Sequence, residues 1–354
     1  MVHGARENSL SSSKTDRHLT MLLRGCLFGG AIGDALGYKV EFKRLKSIRS
    51  SYGEKGIQEP LETDGHFVVS DDTQMTMFTL EGLTRGLGGA DENVLEEIRL
   101  AYIDWLATQS PPEIGWQSRG EIYRDKRLWY LRFPGKTCLS ATRSGARGTP
   151  TEPINHSKGC GGVMRSAPLG FVSAWSSEKA FDMGCKVAAM THGHPTGWLS
   201  AGALSCLIRL LIEGNHIEDA LNATLPFLER SEDGEEVLTT LRKAIGLSSS
   251  KETDFTESVR QLGEGWTGEE ALAIAVYAVL SASSFEEAVT IAANHDGDSD
   301  STASIAGQIY GAWHGESVVP VTWIEKLDIK ELMDQLIKEF ENKSPPITEM
   351  VTLR

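Results

Sequence analysis

The stretch LTMLLRGCLFGGAIGDALGYKVEF, Leu19–Phe42, carries Gly25, Gly29, Gly33 and Gly37 at intervals of four. On a helix that spacing brings the four positions without side chains onto nearly one stripe. Each glycine costs up to about 1 kcal/mol of helix propensity. A chain that accepts four of them is packing another backbone closely along that face. The apolar run within it, Met21–Tyr38, contains Arg24 and Asp34 and is expected to be a buried helix. Asp34 and Glu41 lie toward its end, where isolated acids more often cap or face solvent than form a site.

Outward from this stretch the pattern is helical almost everywhere. Val94–Ala107, Lys179–Met190, Gly197–Ile212 and Ile217–Leu228 all show apolar residues at helical period,. Thr267-Gly-Glu-Glu270 and Ser284-Phe-Glu-Glu287 each match a capping box ahead of an apolar run,. Alternating strand patterns are nearly absent outside residues 66–70, and no repeat period suggests a solenoid. The expectation is an all-α fold of many helices. Residues 108–160, with Pro111, Pro112, Pro134, Pro150 and Pro153, break the pattern. Loops of that length are usually functional or disordered, and this one reads as an excursion within a domain.

Composition narrows the partners. The chain has 354 residues, 40% of them hydrophobic, enough for a large core in one domain or two. A formal charge of −14 argues against a nucleic-acid backbone, whose binding needs cationic neutralisation of phosphates. No segment reads as a signal peptide, and no apolar run reaches the roughly 18 uncharged residues needed to cross a bilayer. Five scattered cysteines without metal-ligand spacing suit a reducing, cytoplasmic setting. Residues 1–18, MVHGARENSLSSSKTDRH, are polar and aperiodic; they read as a disordered terminus or as an arm that binds a partner, with the folded domain spanning 19–354.

Two acidic stretches suggest the chemistry. In NHDGDSDSTASIAG, Asn294–Gly307, three aspartates (Asp296, Asp298 and Asp300) occupy five residues, followed by Ser301. Packed together they would repel strongly, and a divalent cation relieves that. Hard oxygen ligands favour Mg²⁺, Mn²⁺ or Ca²⁺ over zinc. An acidic helix cap in solvent is the plainer alternative. Far upstream, Ser70-Asp71-Asp72-Thr73 likewise stands where a loop enters a helix. Two such helix starts facing each other would share one or two metal ions. Ser157-Lys158-Gly159-Cys160-Gly161-Gly162 offers backbone N–H groups to an anion, although a simple glycine turn fits as well. The spacing of His192 and His194 excludes a shared helix face, leaving His192 as a single ligand contact or a C-terminal helix residue.

GDALGYKVE, VSDDT, GCGGVMR, the Thr191-His192 element, GWTGEEALAIAVYA and GDSDSTASIAG follow one another as in the ADP-ribosylglycohydrolases. The chain resembles that family, which includes the ADP-ribosylarginine hydrolases and the dinitrogenase-reductase-activating glycohydrolases, over roughly residues 20–315. The resemblance implies an orthogonal all-α single domain with a binuclear metal cleft holding two Mg²⁺, or Mn²⁺. By motif match, Ser70, Asp71, Asp72, Asp298, Asp300 and Ser301 are the metal ligands. Ser157, Gly159, Cys160, Gly161 and His192 contact the ADP-ribose. Asp71 or Asp72 serves as base or water-orienting group, and Glu41 stands near the scissile bond as acid. Cys160 and Ser301 look closer to the arginine-hydrolase branch.

Asp296 departs from the glycine found in many members, adding charge beside the metals. The implied activity is hydrolysis of ADP-ribose from modified arginine in proteins, by a monomer. Some bacterial members with such N-terminal extensions are immunity proteins, so residues 1–18 are a second candidate feature, an arm that blocks an ADP-ribosyltransferase toxin. A metal-dependent phosphatase would use the same hard-oxygen ligands.

Overall fold

The computed structural model describes residues 3–110, 117–250 and 255–344, with side chains from residue 17 onward. In chain order the helices are α1 (His3–Tyr38), α2 (Leu45–Tyr52), α3 (Asp71–Gly86), α4 (Asp91–Gln109), α5 (Lys136–Arg143), α6 (Ser177–Ala189), α7 (Pro195–Ile212) and α8 (Ile217–Glu229). They continue as α9 (Glu235–Ser248), α10 (Phe255–Leu262), α11 (Gly268–Ser281), α12 (Phe285–Ala293), α13 (Ser299–His314), α14 (Val321–Ile324) and α15 (Lys330–Lys343). Among the described residues the sheet is a single hairpin of β1 (Glu62–Thr63) and β2 (His66–Phe67), with Glu62 opposite Phe67. The fold is all-α, as the periodicity predicts.

The glycine stripe finds its partner in α13. A Cβ built on Gly25, Gly29, Gly33 or Gly37 would lie 2.4, 2.4, 2.0 and 2.2 Å from the carbonyl oxygens of Gly311, Gly307, Ala303 and Ser299. The two helices are therefore antiparallel and touch backbone to backbone over about three turns, with steps of four on both sides. This seam runs through the core and ends where α1 gives way to Glu41 and α13 begins at Asp298.

Around it, α7 and α11 are buried on nearly every face, as expected of helices that are apolar all round. Arg17–Tyr38 and Pro195–Ile212 are long and apolar enough to cross a membrane, but 78% of each stretch is buried within the protein. Arg24, the charge inside that apolar helix, reaches Glu316 (2.8 Å) and Asp334 (2.6 Å).

Two local details go beyond the sequence pattern. Helix α1 begins at His3; between Ala5 and Arg24 no proline or glycine interrupts it. Of the two capping boxes, Ser284 accepts from the Glu287 N–H at 3.2 Å, whereas Thr267 makes no side-chain cap. The Glu287 carboxylate accepts from the Ser283 N–H, one residue earlier than a reciprocal box requires,.

Candidate active site

The starts of α3 and α13 line one cleft of ≈ 470 Å³, within the range of ligand pockets. At α3, Ser70 is the N-cap and its hydroxyl accepts from the Asp72 N–H (3.2 Å). The loop entering the helix is held from a distance by Asp34 of α1, which is fully buried. Its carboxylate accepts from the Ser70 N–H (2.8 Å), the Thr73 N–H (3.1 Å) and the Thr73 hydroxyl. Burial, and then the nearby Asp300, push Asp34 up to about 7. Asp71 and Asp72 follow in the first turn, both buried. The Asp71 carboxylate accepts from the Gly135 N–H at 3.2 Å.

At α13, Asp298 is the N-cap and Asp300 lies in the first turn. Asp298 accepts from the Cys160 thiol (2.8 Å), and Asp300 accepts from the Ser301 N–H (3.0 Å). Glu41, in the turn after α1, brings a carboxylate oxygen within 4.8 Å of oxygens on Asp298 and Asp300. Two unit charges at that separation repel by about 3.5 kcal/mol at an effective dielectric constant of roughly 20. Burial raises Asp71, Asp72, Asp298 and Asp300 above the usual carboxylate range; neighbouring acids add to the rise at Asp71, Asp72 and Asp298, whereas hydrogen bonds from Asp298, the Ser301 N–H and Ser70 moderate it at Asp300. Glu41 is pushed up to about 11 by burial and then by Asp300 and Asp298.

None of these five carboxylates has an arginine or lysine partner among the described residues. Asp72 Oδ2 and Glu41 Oε2 are buried without any hydrogen-bond partner. Buried acids persist when a cation or proton compensates them. A concentrated set of hard oxygens with two orphaned atoms therefore fits a divalent cation.

Against the acids, through the Cys160–Asp298 contact, Gly159, Cys160 and Gly161 line the cleft on a short 3₁₀ turn. The loop is tied to the segment before α11: the Cys160 N–H donates to the Trp266 carbonyl (3.1 Å) and the Gly268 N–H to the Lys158 carbonyl (2.8 Å). The glycine at 161 is demanded by space, since a Cβ there would lie 2.7 Å from Cys138 Sγ and 3.0 Å from the His192 ring. His192 is buried after the end of α6, with Nδ1 2.8 Å from the Thr191 hydroxyl. Burial, then the charge on Arg165, hold its pKa down to about 3, so the ring is neutral. Arg165 itself is fully buried over the Tyr102 ring and donates to the Thr191 hydroxyl (2.6 Å).

The sequence profile described as ADP-ribosylglycohydrolase matches residues 15–346. The chain belongs to the ADP-ribosylglycohydrolase family. It is similar to the ADP-ribosylarginine hydrolase Tri1 of Serratia proteamaculans, 25% identical over 91% of this chain and 79% of the relative. It is likewise similar to the ADP-ribosyl-[dinitrogen reductase] glycohydrolase of Rhodospirillum rubrum, 23% identical over 86% and 90% of the two chains. A solved structure titled an ADP-ribosylglycohydrolase-related protein complex shares the fold at a TM-score of 0.61 with 22% identity, covering 93% of this chain and all of that one.

Within this ADP-ribosylglycohydrolase, Glu41, Asp71, Asp72, Asp298, Asp300, Ser301, Gly159, Cys160, Gly161 and His192 all line the one cleft. Ser70 stands behind its wall as the α3 cap, with a further hydrogen bond to Asp300. Ser157 also stands back, 3.0 Å from the Thr137 hydroxyl and accepting from the Gly159 N–H. Asp296 is the clear departure from the sequence reading. Its side chain is turned outward, accepting from the Leu45 N–H (2.5 Å) at the start of α2 and facing Arg44; it adds no charge to the cleft.

Sequence reasoning missed the contribution of residues 133–138. Phe133, Pro134, Gly135, Lys136, Thr137 and Cys138 line the cleft, and Lys136 is the sole cationic side chain among its lining residues. Phe42 and Trp266 add a stacked pair with ring centroids 5.2 Å apart. The density of proline and glycine around α5 was the available signal, and it marks a functional loop without saying which side chains turn inward.

Proposed function

We propose that this ADP-ribosylglycohydrolase removes ADP-ribose from arginine side chains of modified proteins, using two divalent cations, Mg²⁺ or Mn²⁺. The observation that carries the reading is the convergence of two helix starts, more than two hundred residues apart in sequence, with Glu41 on one acid cluster facing a glycine loop. The similarity to an ADP-ribosylarginine hydrolase supports the arginine linkage. The cluster's oxygens, from Asp71, Asp72, Asp298, Asp300 and Ser301, would hold the cations, with Ser70 orienting Asp300 from behind. Bound there, the cations would supply Lewis acidity toward ribose hydroxyls and water.

The remaining steps belong to the chain's own groups. Cleavage of an N-glycosidic bond passes through an oxocarbenium-like state, and the carboxylates at this end of the cleft favour positive charge on the sugar. Asp71 or Asp72 orients the attacking water and takes its proton. Glu41 stands at the same end, placed to protonate the departing guanidine. Gly159, Cys160 and Gly161 wrap the ADP moiety, with neutral His192 beside them. Lys136, at the start of α5, offers the pyrophosphate a mobile point charge.

The test is incubation of purified protein with ADP-ribosyl-arginine and with ADP-ribosyl-serine, each with Mg²⁺ or with EDTA, followed by mass analysis of the released nucleotide. Intact ADP-ribose from the arginine compound alone, and only with metal, is the expected result. Release from serine alone overturns the linkage, and release of inorganic phosphate points to a phosphatase.

A further inference from the structure

Among the described residues seven large apolar side chains are exposed, and four of them, Phe42, Tyr130, Leu131 and Phe133, belong to two segments at the mouth of the cleft. Their relative exposures are 64, 66, 67 and 67%. The Phe133 ring meets Phe42 edge-on at 6.3 Å and Tyr38 at 5.6 Å, joining those rings into one surface, with Tyr130 and Leu131 exposed on the segment that leads into it. Large apolar groups concentrated on a rim mark an interaction site more often than singly scattered ones do.

This surface is held outward by the backbone. Phe42 and Phe133 have φ of 63° and 54°, a region that bulky side chains rarely adopt and that surrounding structure must impose. Between Leu131 and Phe133, Arg132 turns inward and is almost fully buried. Its guanidinium donates to the Val69 carbonyl (3.0 Å), the Arg127 carbonyl (3.0 Å) and Asp328 (2.6 Å). Its own carbonyl accepts from the Asp71 N–H (3.1 Å). The buried arginine keeps the neighbouring apolar residues at the surface and ties their segment to Asp71 of the acid cluster.

We infer that Phe42, Tyr130, Leu131 and Phe133 form the docking surface for the modified protein, engaging apolar side chains that flank the ADP-ribosylated arginine. This inference rests on the arginine reading of the cleft and names the partner surface that reading requires. The apolar rim borders the acid end, through Glu41 next to Phe42 and Asp71 bonded to Arg132 and Gly135, so the leaving group exits there. An extended arginine side chain spans about five bonds, roughly 6–7 Å from Cα to the guanidinium. The target's backbone is thereby brought against the rim while its ADP-ribose occupies the cleft.

The experiment compares wild type with a Tyr130→Ser, Leu131→Ser double variant, both positions lying outside the cleft lining. Substrates are free ADP-ribosyl-arginine and an intact protein mono-ADP-ribosylated on an arginine flanked by apolar residues. The expected result is unchanged turnover of the small compound within about twofold, and a KM for the protein raised roughly 10- to 30-fold at constant kcat. Equal loss on both substrates, or no loss on either, overturns the docking surface. Wild-type protein that hydrolyses neither arginine substrate overturns the reading beneath it and the surface with it. A wild-type dimer that the double variant abolishes in size-exclusion chromatography assigns the rim to a second copy of the chain and also overturns the inference.

Discussion

Replacing Gly33 by alanine adds a single methyl group to the seam between α1 and α13. That methyl would lie 2.0 Å from the Ala303 carbonyl oxygen, with the Ala303 carbonyl carbon at 2.5 Å and Ser304 N at 2.9 Å. Ordinary contact begins near 3.4 Å, so the helices must part by about 1.4 Å. The obstacle is backbone, which cannot rotate aside. Overpacking of this kind costs typically 1–3 kcal/mol, sometimes more, and the upper end applies where neighbouring glycines lock the same seam. Alanine's better helix propensity returns about 1 kcal/mol, leaving a net loss of roughly 2 kcal/mol.

Gly246 of α9 is the matched control, because its built Cβ meets nothing within 4 Å. There the same substitution is expected to stabilise by about 1 kcal/mol. Urea unfolding of both variants, followed by circular dichroism, should separate them by roughly 3 kcal/mol. The Gly33 variant should also show a weaker thermal shift with Mg²⁺, since parting the helices moves Glu41 away from Asp298 and Asp300. A Gly33→Ala protein as stable as wild type would refute the argument that the seam requires backbone contact.

Glu41→Gln separates two uses of that side chain: lost turnover with an intact Mg²⁺-induced thermal shift marks it as the acid, and loss of both marks it as a metal donor. Metal-stripped protein should lose stability as pH rises through neutrality. Glu41 keeps its proton in the folded state up to about 11 but loses it near 4.5 when unfolded, so its contribution falls by roughly 1.4 kcal/mol per unit throughout that window, and Asp34, held up to about 7, adds to the fall below neutrality. His192 and His295, kept neutral down to about 3 and about 4 in the folded state, oppose the acids only below their unfolded value of 6.5, so from pH 7 to 9 the fall stands alone. Chemical denaturation across pH 7–9 in EDTA checks it, and stability that rises with pH over that range contradicts the assignment.

Local patterns made much of this legible. A stripe of glycines announces close backbone approach whatever its partner, and Ser70-Asp71-Asp72 and Asp298-Ser299-Asp300 announce helix starts rich in carboxylate. What could not be read is what distant segments do to one another. Asp34 was assigned to the ordinary fate of a lone acid, and capping is its role, but the helix it caps begins 36 residues later. Asp296 shares its local pattern with Asp298 and Asp300, yet Gly297 has φ of 141° and the chain turns Asp296 outward to α2. Lys136 and Phe133 lie where no periodicity exists to report which way a side chain points.

The hold on Asp71 extends to the far end of the described chain. The Phe67 N–H donates to the Lys326 carbonyl (2.8 Å) and the Asp328 N–H to the Phe67 carbonyl (3.1 Å), while Asp328 also receives Arg132. Residues 326–328 thus brace both approaches to the α3 start, the hairpin before it and the loop beside it, without touching the cleft. During synthesis these braces emerge only after every segment that lines the cleft. The cleft therefore cannot take its final shape until residues 326–328 have followed its own segments, and changes around Asp328 are felt as loss of order at an acid they never meet.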